Sequence, residues 1–343
     1  MITGTAQAEA WKRRVLPPVE EPRPGIWSIP VPIPDNPMRY TLSYAFPDDD
    51  GLIVVDPGWD GDEARQALMA GLATAGATVA EVTGIVVTHV HPDHHGMSGW
   101  LRGESGAWIG MHPVEAATLP ARAWRGRNPG IDPDWLLRHG VPSAEVDLLV
   151  VRPDRMAALL EMPEPDREIN DGDRLPLAGR SLRAVWTPGH TPGHLCLHDA
   201  EAGVLLTGDH LLPRISPNVA VLPTSSGDPL GDYLGSLSRS DRYAGDEALP
   251  AHEYRFRGIP SRAAELIEHH DARGAEILQA VDSLAEPTGW AVASQLTWSR
   301  GWDALHGMLR RMALAETLAH LNHLATTGAL KCLPGTPALW QRA

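Results

Sequence analysis

Short apolar runs alternate with amphipathic stretches over residues 25–255 of this chain. Runs rich in β-favouring residues predict strands at 26–29, 40–46 and 52–55. The stretch 62–76 has helical spacing and ends on a glycine, so we expect a helix there. Further strands are predicted at 85–88, 107–111, 181–186, 195–199 and 204–207. Strands that alternate with helices in this way indicate two mixed sheets with helices outside them.

The hydrophobic pattern changes near residue 260, beyond which helical spacing dominates. We expect three helices at 261–285, 290–298 and 308–327 and then a short strand pair, with its first strand at 329–333. The chain is therefore predicted to consist of a surface arm over 1–24, a main domain over 25–260 and a small terminal domain over 261–343.

Two segments of the main domain interrupt the alternation of strands and helices. Residues 113–165 are broken by prolines and rich in helix formers, and we expect them to form a helical insert that covers one side of a pocket. This insert carries two tryptophans and a basic cluster, namely Trp124, Trp135, Arg122, Arg125 and Arg127. Residues 211–245 are rich in glycine and proline and predict an irregular functional loop.

The composition is that of an ordinary globular protein, with 343 residues of which 43% are apolar and 21% charged. A net charge of −14 disfavours nucleic acid as a partner, although it leaves a local basic patch open. Cys196 and Cys332 lie outside any Cys-x-x-Cys pair, so we expect packing residues in a reducing compartment. We expect neither a secretory signal nor a membrane span, and hence a cytoplasmic protein.

The predicted strand at 85–88 leads into the turn His89-Val90-His91-Pro92-Asp93-His94. Three imidazoles and a carboxylate this close together destabilise a fold unless they have partners. Histidine nitrogen and aspartate oxygen are common zinc ligands, and alternate residues of a strand-end loop can face two metal centres. The sequence therefore predicts that this turn contributes to a pair of metal sites.

Four further polar residues follow or precede predicted strands. His190 lies in a glycine-bounded turn, Asp209 comes after the strand at 204–207, and His252 comes late in the main domain. Asp56 closes the strand at 52–55. Because loops at strand ends can converge on one rim of a sheet, we expect these residues to lie near the histidine turn.

This ordered set of motifs resembles the metallo-β-lactamase superfamily, in its glyoxalase-II-like branch, over residues 25–255. The resemblance implies an α/β fold, the αββα sandwich, with the site at one edge of its two sheets. The implied ligands are His89, His91 and His190 for one metal, Asp93, His94 and His252 for the other, and Asp209 as the bridge. Asp56 would orient a ligand from behind.

Two zinc ions are the expected cofactors, and iron or manganese fit the same ligands. Two cations about 3.5–4 Å apart can hold a hydroxide at neutral pH, because zinc lowers the pKa of bound water to about 7. That hydroxide would attack a carbonyl or phosphoryl centre. Asp93 would also orient the nucleophile, and His210 would donate a proton or contact the substrate.

Tyr254, Arg255 and Arg257 closely follow the last implied ligand. Arginine forks suit carboxylate or phosphate groups, so these three residues are candidate substrate contacts. A set of ion pairs is the alternative, and the sequence leaves it open.

The terminal domain resembles the small winged-helix module that follows this fold in some members, with Met308–Leu333 as the matching stretch. Such helices can read a DNA groove. Glu316, Asn322 and the scarcity of lysine disfavour that role here. We instead expect packing against the catalytic domain or a partner subunit, and a homo-oligomer stays open.

The first functional hypothesis is a dinuclear metallohydrolase acting on a small ester or thioester through a metal-bridging hydroxide. The runner-up is a phosphodiesterase or endoribonuclease of the same fold, which would need a basic track such as Arg122–Arg127. A third hypothesis, from another class, is a winged-helix regulator that binds nucleic acid without turnover. A true β-lactamase is disfavoured by the ligand pattern and by the lack of an export signal.

Overall fold

The computed structural model describes residues 1–119, 131–150, 162–223 and 225–343. Within these residues the chain forms two compact units. The first consists of the described residues within Met1–Ala123, Ala157–Pro217 and Ser238–Ala263, and the second of those within Trp124–Met156, Asn218–Leu237 and Ala264–Ala343. Each unit is thus discontinuous along the chain, whereas the sequence analysis divides the chain linearly after residues 24 and 260.

Two sheets make up the first unit. The larger has seven strands in the order β1 to β7, which are Glu20–Arg23, Ile26–Pro32, Tyr40–Asp48, Gly51–Val55, Val82–Val86, Trp108–Met111 and Arg167–Glu168. The smaller has five strands in the order β12-β11-β10-β9-β8, and in chain order β8 to β12 are Leu182–Trp186, Leu195–Asp199, Val204–Gly208, Glu247–Pro250 and Phe256–Arg257. The predicted mixed sheets are confirmed.

Five helices of the first unit are α1 to α5, which are Thr5–Arg13, Asp62–Thr74, Pro92–His95, Ser98–Ser105 and Pro113–Ala117. The first of them lies within the region predicted as a short helix or arm on the surface. Its residues Gln7 and Trp11 are nevertheless buried, and Trp11 packs edge-on against Tyr40. The arm is therefore part of the packed unit.

Alternate residues of the large sheet point to two different cores. Ile53 and Val55 of β4 join side chains of the small sheet, such as Leu197, in one buried cluster. Leu52 and Val54 belong to a second cluster that includes side chains of α2 and α4. Successive side chains of a strand point to opposite faces of the sheet, so β4 is buried on both faces. Full burial of each such apolar side chain adds about 1.5–3 kcal/mol to the free energy of unfolding.

The strand directions bring distant segments of the chain to one edge. β4 runs parallel to β5, and β10 runs parallel to β11, so the loops after each pair leave from the same end. β9 is antiparallel to β10, so the loop before β9 lies at the end where β10 finishes. Every predicted site segment follows or precedes one of these strand ends.

Helices make up most of the second unit. In chain order α6 to α11 are Ile131–Arg138, Ser143–Leu149, Pro229–Leu237, Ile259–Ser283, Gly289–Gln295 and Met308–Thr326, of which α9 has its first five residues in the first unit. They precede an antiparallel hairpin of β13 and β14, which are Leu330–Leu333 and Leu339–Arg342. The predicted C-terminal helical region is confirmed, and none of the described helices is long and apolar enough to cross a membrane.

Helix α8 (Pro229–Leu237) corrects the prediction that 211–245 is irregular throughout. Its buried apolar residues are Leu230, Tyr233 and Leu237, at helical spacing. The surrounding glycines and prolines conceal this short periodic signal. The predicted insert over 113–165 contains helices α5, α6 and α7 among the described residues. Four residues of its basic and tryptophan cluster lie outside the described residues, namely Arg122, Trp124, Arg125 and Arg127.

We expect Asp132→Asn to destabilise the second unit by about 3–5 kcal/mol, because it leaves the buried Arg311 guanidinium without its charge partner. Arg311 donates to Asp132 and to the carbonyl of Leu149, and both side chains of the pair are buried. Urea unfolding followed by tryptophan fluorescence measures the change. Arg342→Gln is the control, since its partner Asp282 is exposed and loss of that pair should leave the transition unchanged. Equal shifts in both variants would contradict the prediction.

The second unit should also lose stability in acid through a buried histidine pair. His320 donates from Nδ1 to the carbonyl of Glu316 and accepts at Nε2 from His270, 3.1 Å away, so both rings are neutral. Burial lowers the pKa of His270 to about 3 and that of His320 to about 4. Because both folded pKa values lie below the unfolded value of about 6.5, their stabilising effect is complete above that pH and is lost as the pH falls.

Between pH 7 and pH 5, each of these histidines should remove about 2 kcal/mol from the free energy of unfolding. His270→Gln should flatten this pH dependence, whatever it does to stability at pH 7. Urea titrations of both proteins at the two pH values measure it. An unchanged slope in the variant would refute the assignment.

Candidate metal centre

Three imidazole nitrogens lie close together at the edge of the sheets. Nε2 of His89 lies 3.0 Å from Nδ1 of His91, and Nε2 of His190 lies 3.3 Å and 3.1 Å from those two atoms. Ligands at zinc's usual bond length of about 2.0–2.1 Å in a tetrahedral arrangement would be separated by about 3.3 Å. The three nitrogens therefore have the spacing of one metal's ligand set.

A second group lies beside the first. Nε2 of His252 is 3.4 Å from a carboxylate oxygen of Asp93 and 3.2 Å from one of Asp209. Nε2 of His94 is 3.9 Å and 3.6 Å from the same two carboxylates. Two imidazoles and two carboxylate oxygens at these separations form a four-atom set suited to a second cation.

Asp209 faces both groups. Its Oδ1 is the atom near His94 and His252, and its Oδ2 lies 3.8 Å from Nε2 of His190. The protein can hold cations in overlapping sets, which are His89, His91 and His190; His89, His94 and Asp209; and Asp93, His94 and His252. All seven predicted ligands are thus brought together in the first unit.

The chemistry of this cluster fits cations. Nε2 of His94, Nε2 of His252 and Oδ1 of Asp209 are buried, and no described residue forms a well-directed hydrogen bond to any of them. An unpartnered buried polar atom costs about 1–3 kcal/mol, and three such atoms facing one another are rare in a folded protein. A metal ion would satisfy all three, because each presents a lone pair toward the same space.

Hydrogen bonds behind the rings determine which nitrogen faces the cluster. Nδ1 of His94 donates to Asp56 at 2.8 Å, and Nδ1 of His252 donates to the carbonyl of Tyr40 at 2.9 Å. The Thr88 hydroxyl donates to Asp56, so it accepts from Nδ1 of His89 at 3.0 Å. In the neutral form of each ring the proton therefore lies on Nδ1, and Nε2 faces the cluster as a potential ligand, as is usual for metal-binding histidines.

Asp56 has the place expected of an orienting residue. Its carboxylate accepts from the backbone N–H and the hydroxyl of Thr88 and from His94, so it joins the loop after β4 to the loop after β5. It adopts a left-handed backbone, with φ of 50°, which is strained for a residue other than glycine. The three hydrogen bonds hold it there.

The electrostatics of the two groups differ. Burial lowers the pKa of His91 to about 3, and burial together with His94 lowers the pKa of His89 well below its usual range. Burial also acts to lower the pKa of His94, but Asp209 and Asp56 outweigh it and raise that pKa well above the ordinary value. The group that includes the carboxylates thus attracts positive charge, while His89 and His91 stay neutral and ready to bind a metal.

His194, which lies beside the cluster, makes contacts that support the loop of Asp209. Nε2 of His194 accepts the backbone N–H of Asp209 at 3.1 Å, and its Nδ1 contacts the Thr187 hydroxyl. A side chain on Gly208 would place its Cβ 2.6 Å from that Nε2, so only glycine lets the Asp209 loop approach. His194 therefore holds Asp209 in place.

His210 is buried next to Asp209, and burial lowers its pKa to about 3. Its place as a catalytic residue stays a prediction.

The three candidate substrate contacts after His252 have other partners. Arg255 is buried and pairs with Glu20 and Glu247. Arg257 donates to the carbonyl of Gly245. Tyr254 is buried in the core cluster. These contacts favour the ion-pair alternative for Arg255, while substrate binding by Arg257 and Tyr254 stays a prediction.

Sequence reasoning did not anticipate the supporting partners Thr88 and Tyr40. It also missed Glu115, whose carboxylate accepts the backbone N–H groups of Val90 and Gly193 on the two loops of the histidine triad. Thr88 immediately precedes the histidine turn, which is the one available signal. Tyr40 acts through its backbone carbonyl, which no residue type can reveal. Glu115 lies on α5 after a buried strand and has no motif around it.

The sequence model of the metallo-β-lactamase superfamily matches residues 37–252, which contain all seven clustered residues. The chain belongs to this superfamily. Its fold is accordingly the mixed α/β metallo-β-lactamase fold followed by a C-terminal helical region.

Solved structures of similar proteins cover nearly the whole chain. A metallo-β-lactamase family protein from Thermus thermophilus is 33% identical, covers 94% of this chain and 99% of its own, and has a TM-score of 0.78. A β-lactamase domain protein from Burkholderia ambifaria is 28% identical, covers 95% of this chain and 93% of its own, and has a TM-score of 0.80.

Among curated relatives, the lactamase-like protein vrtG of Penicillium aethiopicum is 30% identical over 166 residues, which is 48% of each chain. An atrochrysone carboxyl ACP thioesterase of Paecilomyces divaricatus is 31% identical over 183 residues, 51% of this chain and 54% of that protein. The chain thus spans about half the length of the curated relatives it matches.

We expect Asp56→Asn to weaken zinc binding by about 10–100-fold, because an amide cannot accept all three hydrogen bonds that fix His94 and its loop. Competition with a fluorescent chelator measures the affinity. Asp60→Asn is the matched control, since Asp60 is exposed and pairs only with Arg65 among the described residues. Undiminished zinc affinity in Asp56→Asn would contradict the role given to this carboxylate.

Proposed function

We propose that the chain is a dinuclear metal-dependent hydrolase that cleaves a small-molecule ester or thioester. The observation that carries the proposal is Asp209, which directs one carboxylate oxygen toward the histidine triad and the other toward His94 and His252. A carboxylate shared in this way suits two neighbouring cations. Zinc is the proposed metal, and iron or manganese suit the same donors.

When bound, such cations supply Lewis acidity and lower the pKa of a bound water to about 7. The residues of the chain then have separate tasks. His89, His91 and His190 would hold one ion, and Asp93, His94 and His252 the other. Asp93 is the most exposed carboxylate of the cluster, with about a fifth of its side chain accessible, so it can also orient a water. No serine or cysteine nucleophile is required.

The preference for a thioester rests on the relative whose name describes a carboxyl ACP thioesterase. Because the similarity spans half of each chain, the preference concerns the reaction class and not the individual substrate. The acidic composition, with a net charge of −14, also suits a small substrate better than a nucleic acid.

We further propose that the second unit contains a winged-helix-like module. Support comes from its three C-terminal helices and the antiparallel hairpin that follows them, Leu330–Leu333 with Leu339–Arg342. We also propose a cytoplasmic location, since both cysteines are free thiols.

Purified protein should contain two metal ions per chain and turn over esters and thioesters in preference to phosphodiesters and RNA. His190→Ala and His252→Ala should each lose one ion, and Asp209→Asn should weaken both sites, because its carboxylate faces both groups. Metal analysis and a substrate panel measure these effects. Each of these three variants should lose turnover by more than the 10–100-fold that is typical when a residue hydrogen-bonded to a metal ligand is replaced.

His198→Gln is the matched control, because His198 pairs with Asp246 on the small sheet and lies in none of the ligand groups. It should keep both metals and full turnover. Turnover of RNA alone would transfer the assignment to the endoribonuclease class. Duplex binding without any turnover would favour the regulator instead, and metal-free, inactive protein would refute the proposal.

A further inference from the structure

Glu115 is a fully buried carboxylate that lies outside all the ligand groups. Burying a carboxylate is strongly unfavourable unless hydrogen bonds compensate, so the hydrogen bonds of Glu115 indicate its structural role. Each of its two oxygens accepts a backbone N–H. Oε1 accepts from Val90 at 2.7 Å, and Oε2 accepts from Gly193 at 2.8 Å.

These two donors lie on different ligand loops. Val90 stands between His89 and His91, and Gly193 lies three residues after His190. The three histidines are the members of one ligand group. One carboxylate therefore joins the loop that supplies two imidazoles to the loop that supplies the third, across a sequence separation of about a hundred residues.

The packing around Glu115 is correspondingly close. A Cβ on Gly193 would lie 2.2 Å from the backbone nitrogen of Glu115 and 2.5 Å from its Cβ. The absence of a side chain at Gly193 thus lets helix α5 approach the His190 loop. The start of α5 is itself held, because His112 caps it by accepting from the N–H of Val114.

A backbone hydrogen bond also links these two loops, at their base. The N–H of Leu195 donates to the carbonyl of Thr88 at 3.0 Å, which joins the base of each loop at the strand ends. Glu115 acts further out, next to the ligands. Two contacts at separate points remove the rotational freedom that a single contact would leave.

We propose that Glu115 is a positioning residue that sets the distance between the His89–His91 pair and His190, and so determines the affinity of the first metal site. This inference rests on the proposed function. Among the described residues, Glu115 accepts no hydrogen bond from the loops that carry Asp93, His94 and His252 other than that of Val90, so the second site should depend on it much less.

The test is Glu115→Gln, which keeps the shape of the side chain but replaces one acceptor oxygen with an NH₂ group that opposes a backbone N–H. Titration with Co²⁺, followed by visible absorption and chelator competition, resolves the two sites without any assay of activity. We expect one site to weaken about 10–100-fold with an altered spectrum, while the other keeps its affinity.

Glu81→Gln is the matched control, since Glu81 is an exposed residue of a helix cap and should leave both sites unchanged. Glu115→Asp is the second variant. Its carboxylate keeps the charge but is one methylene too short to reach both N–H groups, so it should show the same selective loss.

The outcomes separate this inference from the proposed function. Wild-type protein that binds no metal overturns the function itself. The positioning role alone is overturned if the wild-type protein binds two metal ions and the variants either keep both sites or weaken both equally. If circular dichroism shows that neither variant folds, Glu115 serves folding rather than ligand placement, and the inference is likewise overturned.

Discussion

The arrangement of the first unit depends on the cost of burying several imidazoles and carboxylates at one point. His94, His252 and Asp209 present buried atoms that no described residue satisfies, and His89, His91 and His190 are packed nitrogen to nitrogen. Without cations this cluster would weaken the fold by several kcal/mol. The unit tolerates it because the sheets around it bury enough apolar surface, and because cations would turn the same atoms into favourable contacts.

A rigid surround makes that arrangement specific. Behind the cluster, Asp56, Thr88 and the carbonyl of Tyr40 determine the orientation of three rings, and His194 holds the loop of Asp209. Each partner comes from a strand or a strand end, so the orientation of the ligands follows from the register of the sheets. A site built on such elements can hold ligand atoms within a few tenths of an ångström, which a site on free loops cannot.

The second unit uses the same physical devices for a different purpose. Its buried pair of Asp132 and Arg311 and its paired imidazoles at His270 and His320 fasten helices to one another. These groups have protein partners for their inward-facing atoms, except Nε2 of His270. Buried polar residues alone therefore do not mark a functional site. What distinguishes the first unit is that its unsatisfied atoms converge.

The seven clustered residues and the mixed sheets could be predicted from the sequence, because strand patterns have a short period and metal ligands are chemically distinctive. Only the tertiary structure decided the rest. Arg255 follows His252 in the chain, yet Glu20 and Glu247 engage it in the fold. Helix α8 and the division into discontinuous units depend on which segments pack together, and Glu115 acquires a role only where two loops meet. Local patterns report the propensity of a residue, whereas the partner of a buried charge is determined by the whole chain.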